Sequence, residues 1–542
     1  MTQALFAALA VLLVLAWLRP LLLDGLRALH ILQLEEYQTA RYLNWQTANL
    51  ADLVDARLLA PAVVVALVAA FAPGPAAIAS ALVGSAIGVW DTRRRQQPEA
   101  KKPLVLTARA NRLLGGWLFC AAVLLGATAV IVSSLLAGLP SRLIVGTALG
   151  LALLAAFTWP LFSLANLLLY PVEASFRAYY LRSARHILTS YAPTVIGIAG
   201  SYGKTSTKTI LAQILSTRFE VLMTPRSFNT PMGLCRVIRE QLQPSHQFFI
   251  AELGAYQRGE VRQLCRLVQP SIGVLTAVGP EHLERFGSLD NVIEGEFELI
   301  EALPAGGLAI FNGDDETCRD LARRARAPHL LVGGPPEPTR DLSAEAISLS
   351  SGGLCFTICH RDGRRLVVGT RLLGRHNVTN ILLASAAALH VGFPFDELAT
   401  AIERLEPVEH RLQLVPNDNG VVVIDDTYNS NPRGAAAALE TLAAFQGGRR
   451  YLVTPGMVEL AEMQDGAHRD FGRQAAGVCD AVILVGPRRT RAIAEGLTAA
   501  GFSADRLIVT RDLGEATERL RTLLQRGDVV LFENDLPDNY AE

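Results

Sequence analysis

Cysteine is scarce in this sequence, and its pattern indicates no site. Seven cysteines are scattered over 542 residues, an odd number without paired spacing, which argues against a disulfide framework or a zinc site. Cys355, Cys359 and His360 have a faintly metal-like spacing, but they lie in an alternating run typical of a strand, so we interpret them as packing residues. Unpaired cysteines of this kind are typical of domains in a reducing, cytosolic compartment.

Net charge is also nearly absent. The formal net charge is −1 at pH 7, so nothing indicates a nucleic-acid partner. Hydrophobic residues are abundant by contrast: they form 50% of the chain, and the mean hydropathy of +0.28 is high for a soluble enzyme. This excess is concentrated in the first third of the chain. The length predicts roughly three domains, the first of them a membrane domain.

Five apolar runs occupy the first third, and we interpret them as five transmembrane helices. An α-helix needs about 20 predominantly apolar residues to cross a bilayer. The runs cover residues 4–23, 58–72, 75–90, 113–138 and 143–169. The second and third runs are short and are joined by Pro73-Gly-Pro, which predicts a tight helical hairpin or, as the alternative, one re-entrant segment.

Basic residues between the third and fourth runs predict the orientation. The basic side chains of residues 91–112 are Arg93, Arg94, Arg95, Lys101, Lys102, Arg109 and Arg112. Such clusters stay in the cytoplasm, which places the N-terminus outside and everything after residue 170 in the cytoplasm. Residues 27–49 mix aromatic and charged side chains without Gly or Pro, which predicts an amphipathic helix on the inner membrane surface. That helix either contacts a lipid-linked substrate or merely connects two spans.

A glycine-rich segment carries the clearest functional signal. Residues 197–208 read Gly-Ile-Ala-Gly-Ser-Tyr-Gly-Lys-Thr-Ser-Thr-Lys, follow an apolar strand-like run and open a helix-like run. We assign them to the phosphate-loop pattern G-x-x-x-x-G-K-[ST]. In such a loop, backbone N–H groups surround phosphate oxygens, the lysine (Lys204) reaches the β- and γ-phosphates, and the hydroxyl of Thr205 can bind Mg²⁺. The segment therefore predicts ATP binding.

Further polar residues follow short apolar strands. Residues 248–252 form an apolar strand that ends in Glu252, where a second Mg²⁺ ligand would lie, and residues 272–278 precede His282. Farther along, strand-like runs alternate with helical lengths, as in α/β domains. The runs at 421–425, 451–454, 481–485, 507–510 and 529–532 indicate a second, smaller doubly wound domain.

Taken in order, these segments resemble the Mur ligase family of amide-bond-forming enzymes. The resemblance rests on the phosphate loop and on Phe228-Asn-Thr-Pro-Met-Gly233, Glu252-Leu-Gly-Ala, His282-Leu-Glu, Gly374-Arg-His-Asn and Asp426-Thr-Tyr-Asn-Ser-Asn-Pro432. Together with the apolar runs, it predicts a transmembrane helical domain over residues 1–190, an α/β P-loop central domain over 191–411 and a Rossmann-like C-terminal domain over 412–542. The membrane domain stands where the family has a UDP-sugar-binding domain.

The resemblance implies roles for individual residues. The implied catalytic residues are Lys204, Glu252, His282 and Arg411, of which Arg411 matches an inter-domain arginine that reaches the γ-phosphate on domain closure. The implied ATP-binding residues are Gly200, Ser201, Gly203, Lys204, Thr205 and Ser206 at the phosphates, His376, Asn377 and Asn380 toward adenine, and Asp425 or Asp426 near the ribose.

Metal ligands are implied in the same way. Thr205 and Glu252 would bind a first Mg²⁺, and Glu252 with His282 a second. Several family members carry a carbamoylated lysine beside this site, and our register places Glu296 there. Glu296 is either a permanent carboxylate that replaces the modified lysine or a surface charge on a helix.

The reaction implied is ATP-dependent ligation, in which a carboxylate becomes an acyl phosphate and an amine then displaces phosphate. The match is best to the members that add D-alanyl-D-alanine to a muramoyl peptide, which implies bacterial peptidoglycan precursor synthesis at the inner face of the cytoplasmic membrane. The acceptor is either soluble or lipid-linked, because membrane helices replace the domain for the UDP-sugar. The alternatives are a membrane-bound poly-γ-glutamate-type synthetase and an ATP-driven transporter. The near absence of ionisable residues in the spans argues against the transporter.

Overall fold

The computed structural model describes residues 2–50, 53–72, 74–94, 103–225, 228–416 and 419–536. The chain divides into two compact units, Met1–Ala178 and Tyr179–Glu542. Pro73 of the predicted hairpin turn and the predicted cytoplasmic basic residues Arg95, Lys101 and Lys102 lie outside the described residues.

Six helices begin in the first unit. They are α1 (Thr2–Leu34), α2 (Thr39–Ala48), α3 (Ala56–Phe71), α4 (Gly74–Arg94), α5 (Ala108–Leu135) and α6 (Arg142–Tyr191), the last of which continues into the second unit. Each predicted apolar run coincides with one of these helices. Within the described part of the chain, three are long and apolar enough to cross a membrane by length and composition, namely Gln3–Leu34, Ala108–Leu135 and Arg142–Tyr191. Two more apolar helices, Ala56–Phe71 and Gly74–Trp90, are shorter, and a total of five spans stays a prediction.

The prediction of one amphipathic helix over residues 27–49 is wrong. Helix α1 continues to Leu34 and ends in a Schellman-type turn, in which the N–H of Tyr37 bonds to the carbonyl of Leu32 (2.8 Å) and that of Glu36 to the carbonyl of Gln33 (3.0 Å). Glu36 takes the left-handed conformation (φ 56°) that this turn requires. The separate α2 buries Tyr42 and Gln46, so it is packed into the unit rather than lying free on a surface.

The first half of the second unit contains a nine-stranded sheet in the order β2-β3-β1-β4-β5-β6-β7-β8-β9. Its strands are β1 (Thr194–Ala199), β2 (Val221–Met223), β3 (Phe248–Glu252), β4 (Ile272–Leu275), β5 (Leu308–Asn312), β6 (His329–Val332), β7 (Leu342–Ser350), β8 (Gly353–His360) and β9 (Arg365–Thr370). The helices are α7 (Lys204–Leu215), α8 (Pro231–Gln241), α9 (Glu260–Val268), α10 (Leu283–Phe286), α11 (Leu289–Glu301), α12 (Glu316–Arg324), α13 (His376–His390) and α14 (Leu398–Glu403).

Burial explains why the first strands of this sheet read as continuous apolar runs. Successive side chains of a strand point to opposite faces, and in β1 Ile196 and Ile198 belong to one buried cluster while Val195 and Ala199 belong to the other. Both faces are therefore covered, as is usual for a parallel sheet. Strands β3, β1 and β4 are adjacent and parallel, so their carboxyl ends meet at one edge.

Two features of this sheet were not predicted. Strands β7, β8 and β9 pair antiparallel as a meander, and β4 ends at Leu275, three residues before the end of the predicted run. Pairing explains the second difference, because the register of β4 with β1 stops at Leu275 and the following residues turn toward the phosphate-loop segment.

The second half of this unit contains a six-stranded sheet in the order β10-β11-β15-β12-β13-β14. Its strands are β10 (Gln413–Val415), β11 (Val422–Asp426), β12 (Arg450–Thr454), β13 (Ala481–Val485), β14 (Leu507–Thr510) and β15 (Val529–Glu533), and its helices are α15 (Pro432–Ala443), α16 (Gln464–Ala476), α17 (Arg491–Ala499) and α18 (Leu513–Leu523). All pairs are parallel except β10 with β11. Each of the five predicted strand runs coincides with one of these strands.

Candidate active site

A tight turn joins β1 to α7. Gly200 has φ 127° and Gly203, the residue that caps α7, has φ 84°, a backbone that side chains rarely adopt. Space is also lacking: a Cβ on Gly200 would lie 2.4 Å from Thr276 Oγ1, and one on Gly203 would lie 2.7 Å from Asn380 Oδ1. The turn leaves the first N–H groups of α7 at the strand edge, which is an anion-binding arrangement.

The predicted glycine spacing is wrong by one residue. Five residues, not four, separate Gly197 from Gly203, so the loop proper is the shorter turn from Gly200 to Thr205. Gly197 lies inside β1 and has another role. A Cβ there would come within 2.9 Å of Leu299 Cδ1, so the glycine lets α11 approach the strand.

Lys204 is held across the turn. Its Nζ donates to the carbonyls of Gly200 and Ser201 (3.0 Å for the latter) and lies 3.4 Å from Glu281 Oε2. Burial by itself would lower the pKa of Lys204, but the surrounding carboxylates of Glu281, Glu296 and Glu252 outweigh it and raise the pKa above its ordinary value. A permanently charged ammonium therefore lies at the phosphate loop.

Glu252, at the end of β3, lies beside the start of α7. The Thr205 hydroxyl donates to Glu252 Oε2 (3.0 Å), and Lys208 Nζ, one turn later, lies 2.8 Å from the same oxygen. Asn229 Nδ2 donates to the other oxygen at 3.3 Å. Lys208 and Glu252 are 1% and 2% exposed, so this ion pair is fully removed from water. Ser206 occupies the same first turn of α7.

Glu296 faces the turn from α11. Its Oε2 accepts the N–H of Gly200 at 2.7 Å, and its side chain is buried. Burial raises the pKa of Glu296, against the opposing effects of Lys204 and the Gly200 N–H. Glu296 is thus a buried carboxylate at the loop, and the alternative of an exposed charge on a helix surface is excluded.

His282 and Glu281 follow β4 and connect the two sheets of this unit. His282 has a left-handed backbone (φ 53°) at the start of α10, and its Nδ1 contacts Glu459 Oε2 from the segment after β12. Arg285 lies 3.4 Å from the other oxygen of Glu459. Glu281 accepts from Asn429 Nδ2 (3.4 Å) of the second sheet. A further ion pair, Arg433 with Asp315 at 2.6 Å, joins the same two halves.

The predicted adenine-side residues lie at the start of α13. Asn380 Oδ1 accepts from the Thr207 hydroxyl (3.2 Å) and its Nδ2 donates to Asn377 Oδ1 (2.9 Å). Asn377 in turn donates to the Leu373 carbonyl (2.7 Å). Both asparagines are buried, so in this structure they support the phosphate loop, while His376 is exposed at the helix start.

Arg411 lies on the connection between the two sheets. Its neighbours His410 and Leu412 both have left-handed backbones (φ 60° and 45°). Asp425 Oδ2 lies 2.7 Å from His410 Nδ1, and Asp426 Oδ1 accepts the N–H of Leu412 at 3.2 Å. The two predicted ribose-side aspartates therefore hold the connecting segment. The Arg411 guanidinium stacks on the ring of Tyr428, 4.3 Å from its centre.

The donor set at the loop fits Mg²⁺. A hydroxyl and carboxylate oxygens are the ligands that this ion prefers, and it is usually bound by one or two carboxylates together with substrate phosphates. Thr205 and Glu252 provide such a pair, and the buried Glu296 lies at the same turn. Across the described residues, no group of three His, Cys, Asp or Glu side chains is arranged to hold a metal without such phosphates.

Three residues of this site were missed in the sequence. Glu281 precedes the predicted His282 and could have been found, because it too follows an apolar strand. Lys208 lies within the glycine-rich segment, but its pairing with Glu252 depends on the packing of α7 against β3. Glu459 has no local signal, since its contact with His282 spans 177 residues of sequence.

Comparisons with known proteins agree with this architecture. Residues 198–388 match the family described as Mur ligase middle domain, and residues 410–533 match Mur ligase, glutamate ligase domain. A UDP-N-acetylmuramoyl-tripeptide–D-alanyl-D-alanine ligase from Mycobacterium bovis is 34% identical over 359 residues, which cover 63% of this chain and 70% of the relative. The enzyme of that name from Bacillus subtilis is 28% identical over 352 residues, covering 65% and 75%.

Solved structures give the same result. MurF from Acinetobacter baumannii superposes with a TM-score of 0.60 at 27% identity, covering 66% of this chain and 77% of that chain. MurF from Thermotoga maritima, in complex with ADP, has a TM-score of 0.59 at 25% identity, with 66% and 80% covered. With both family domains matched in order around the phosphate loop, the chain belongs to the Mur ligase family of ATP-dependent peptide ligases.

Proposed function

We propose that this ligase joins the carboxylate of a muramoyl peptide to the amine of D-alanyl-D-alanine or a similar amino compound, in bacterial peptidoglycan precursor synthesis. The relatives at 34% and 28% identity carry that activity in their names. One observation supports it most strongly: Glu281 contacts both Lys204 of the phosphate loop and Asn429 of the second sheet. One carboxylate thus contacts both the lysine of the phosphate loop and the domain that contains the second sheet.

The side chains at the loop suit phosphoryl transfer to a carboxylate. A carboxylate oxygen attacks the γ-phosphorus of ATP and ADP leaves; the amine then attacks the acyl carbon, and phosphate and a proton leave. The first step brings two anions together and the second releases anionic phosphate, so fixed positive charge lowers both barriers. Lys204 and the N–H groups of the turn supply that charge from one side, and Arg411 lies on the connection between the two sheets, from which domain closure would bring it to the γ-phosphate.

We assign Thr205 and Glu252 as ligands of Mg²⁺, and Glu296 and His282 as further metal ligands at the same loop. When bound, this ion neutralises phosphate charge and polarises the phosphoryl group under attack. Lys208 Nζ lies 2.8 Å from Glu252 Oε2 and orients this carboxylate toward the loop. The N–H of Gly200 does the same for Glu296 at 2.7 Å.

The first unit is the part of the chain that the family does not explain. The family matches begin at residue 198, after the apolar helices. We assign these helices to the bacterial cytoplasmic membrane, with five spans and both sheet domains in the cytoplasm. An enzyme held there reaches substrates at the inner leaflet, so we propose a lipid-linked muramoyl peptide as its acceptor.

A product assay tests the function. Full-length protein in detergent is given Mg²⁺-ATP, D-alanyl-D-alanine and either UDP-muramoyl tripeptide or its lipid-linked form, and products are weighed by mass spectrometry. We expect ADP release to require acceptor and amine together, a product heavier by one dipeptide, and preference for the lipid-linked acceptor. Lys204→Ala should abolish both, whereas Arg323→Ala, an exposed arginine on α12, should not. Product ladders would indicate a polymerising synthetase instead, and preference for the soluble acceptor would leave the helices as an anchor.

A further inference from the structure

Glu533 lies at the carboxyl end of β15, the strand between β11 and β12 in the second sheet. The segments that follow β11 and β12 both reach the first sheet domain. Asn429, after β11, donates to Glu281 (3.4 Å), and Glu459, after β12, contacts His282. Because β11, β15 and β12 are parallel, their carboxyl ends meet at one edge of the sheet. Glu533 therefore lies between the two segments that make these contacts.

The Glu533 carboxyl group holds one residue from each segment. Its Oε1 accepts from the Ser430 hydroxyl, and its Oε2 accepts from the Thr454 hydroxyl at 2.9 Å. Ser430 directly follows Asn429 in the chain, and Thr454 ends β12, five residues before Glu459. One side chain thus joins both segments, with one oxygen for each.

The next residue, Asn534, joins the same two segments through other groups. Its N–H donates to the carbonyl of Asp426 at the end of β11 (3.0 Å), and its Nδ2 donates to the carbonyl of Gly456 after β12 (2.6 Å). Asn534 has a left-handed backbone (φ 67°), which asparagine tolerates better than most residues do. The Gly456 N–H donates in turn to Thr454 Oγ1 at 3.0 Å. The end of β15 therefore connects the two segments through both side chains and backbone.

Packing alone does not explain an acid at this place. Glu533 is 1% exposed, and its partners Ser430 and Thr454 are also buried. Removing a carboxyl group from water costs free energy that hydrogen bonds to two hydroxyls only partly offset. Replacing buried polar partners by apolar groups of similar shape is often neutral or stabilising. What the two oxygens of Glu533 connect explains this residue better than a contribution to stability does.

We propose that Glu533 is a positioning residue for ligation, which fixes the segment carrying Asn429 relative to the segment carrying Glu459. With both segments fixed, the second sheet domain contacts Glu281 and His282 in one arrangement. This deepens the proposed function, on which it rests, because amide formation requires the groups of both domains to be in place together. A small displacement of such groups lowers the rate steeply. Glu533 is buried, so it acts through the two contacts rather than on the substrate.

Steady-state ligation by the full-length protein in detergent tests this role. The substrates are Mg²⁺-ATP, D-alanyl-D-alanine and whichever muramoyl tripeptide, soluble or lipid-linked, is ligated faster. Glu533→Leu removes both hydrogen bonds and should lower kcat/KM at least about tenfold. Glu533→Gln keeps the shape, one acceptor and a donor that a hydroxyl can accept, so it should stay within about twofold of the unmodified chain.

A pair of threonines provides a matched control. Thr454→Val removes one of the two hydroxyls at constant shape and should lower kcat/KM about threefold or more. Thr510 is also a buried threonine that ends a strand of this sheet, and it donates to the Leu484 carbonyl at 3.2 Å. Thr510→Val should leave kcat/KM unchanged. This pair keeps the proposal testable even if Glu533→Leu does not fold.

A kinetic double-mutant cycle separates positioning from a general structural role. In the Asn429→Ala/Glu459→Gln background, Glu533→Leu should change kcat/KM by less than about twofold, because the contacts through which it acts are already lost. Equal losses in the two backgrounds would overturn the proposal. Unchanged kcat/KM in both Glu533→Leu and Thr454→Val would overturn it as well.

Energy transfer between dyes on the two sheet domains, measured with Mg²⁺-ATP, needs no acceptor. We expect it to decrease in Glu533→Leu and to recover in Glu533→Gln, and an unchanged signal in Glu533→Leu would contradict the proposal. If no acceptor supports ligation while energy transfer still depends on Glu533, the proposed function fails and the positioning role stands.

Discussion

At the scale of single residues, two buried carboxylates of this ligase differ in the side chains that contact them. Glu252 is paired with the ammonium of Lys208, and both are almost fully buried. Glu533, at the end of β15, is also buried, but it accepts hydrogen bonds from the hydroxyls of Ser430 and Thr454 (2.9 Å for the latter) and lies near the like charge of Asp426. The carboxylate of Glu252 therefore lies beside a positive charge, whereas burial raises the pKa of Glu533 and favours its protonated form. Opposite responses to substitution follow.

Lys208→Met should destabilise the second unit by about 3–5 kcal/mol, because it leaves the Glu252 carboxylate buried without its partner. Urea unfolding of the full-length protein in detergent, followed by far-UV circular dichroism, measures the loss. The double variant Lys208→Met/Glu252→Gln should recover most of it, since no buried charge remains. A double variant as unstable as Lys208→Met alone would show that packing, not charge, is responsible.

Glu533 should make stability depend on pH. Burial raises the pKa of Glu533 to about 8, with Asp426 adding to the effect. A raised folded-state pKa favours the native state at low pH, and this contribution is lost as pH rises from about 4.5 to about 8, by up to about 5 kcal/mol. Glu533→Gln, which resembles the protonated acid, should therefore raise Tm at pH 8 and leave it nearly unchanged at pH 5. Equal shifts at both pH values would contradict this explanation.

At the scale of elements, α16 and α17 are in contact through their backbones. A Cβ on Gly472 would lie 2.2 Å from the Ile493 carbonyl oxygen, and one on Gly496 would lie 2.2 Å from that of Arg469. Gly472→Ala should therefore cost about 1–3 kcal/mol through overpacking. Gly466→Ala on the same helix meets nothing within 4 Å and should stabilise by about 0.5 kcal/mol through helix propensity. Thermal unfolding of both variants measures the contrast, and similar destabilisation by both would refute it.

Glu459 joins the segment after β12 to α10 through His282 and Arg285. Glu459→Gln removes the charge of this contact, so we expect the two sheet domains to separate more often and kcat/KM for ligation to fall about tenfold or more. Energy transfer between dyes placed on the two domains reports the separation directly. Glu462→Gln, an exposed glutamate three residues later, is the matched control. Reduced activity with unchanged energy transfer would assign Glu459 to chemistry rather than to docking.

At the scale of the whole molecule, the number of spans can be tested with cysteines. Cys355 is exposed on the first sheet domain and the other six cysteines are buried. A membrane-impermeant maleimide should label Cys355 only after cells are opened. In a Cys355→Ser background, Gly138→Cys and Gly74→Cys, both in open space, should be labelled in intact cells if the chain has five spans. Labelling of Gly138→Cys without Gly74→Cys would indicate that α3 and α4 form a re-entrant hairpin.

Much of this architecture could be predicted from local pattern. The strand before the phosphate loop, β3 with Glu252 at its end and five of the six strands of the second sheet were predicted, because runs buried on both faces are continuously apolar. The apolar helices were located from the length and composition of their hydrophobic runs. The break between α1 and α2 was not predicted. A helix end with a left-handed residue is usually signalled by glycine, but here Glu36 adopts that conformation.

The sequence by itself determined that this protein has apolar helices, a phosphate loop with Lys204 and Thr205, and the ordered segments of a Mur ligase. These are local properties, because each is determined by glycines, helix caps and hydrophobic periodicity within a short stretch of the chain. Only the tertiary structure decided which carboxylates meet the loop, that Lys208 neutralises Glu252, and that Glu459 contacts His282. Those contacts join residues far apart in the chain, so they depend on how whole sheets and helices pack, and no short stretch of sequence specifies that packing.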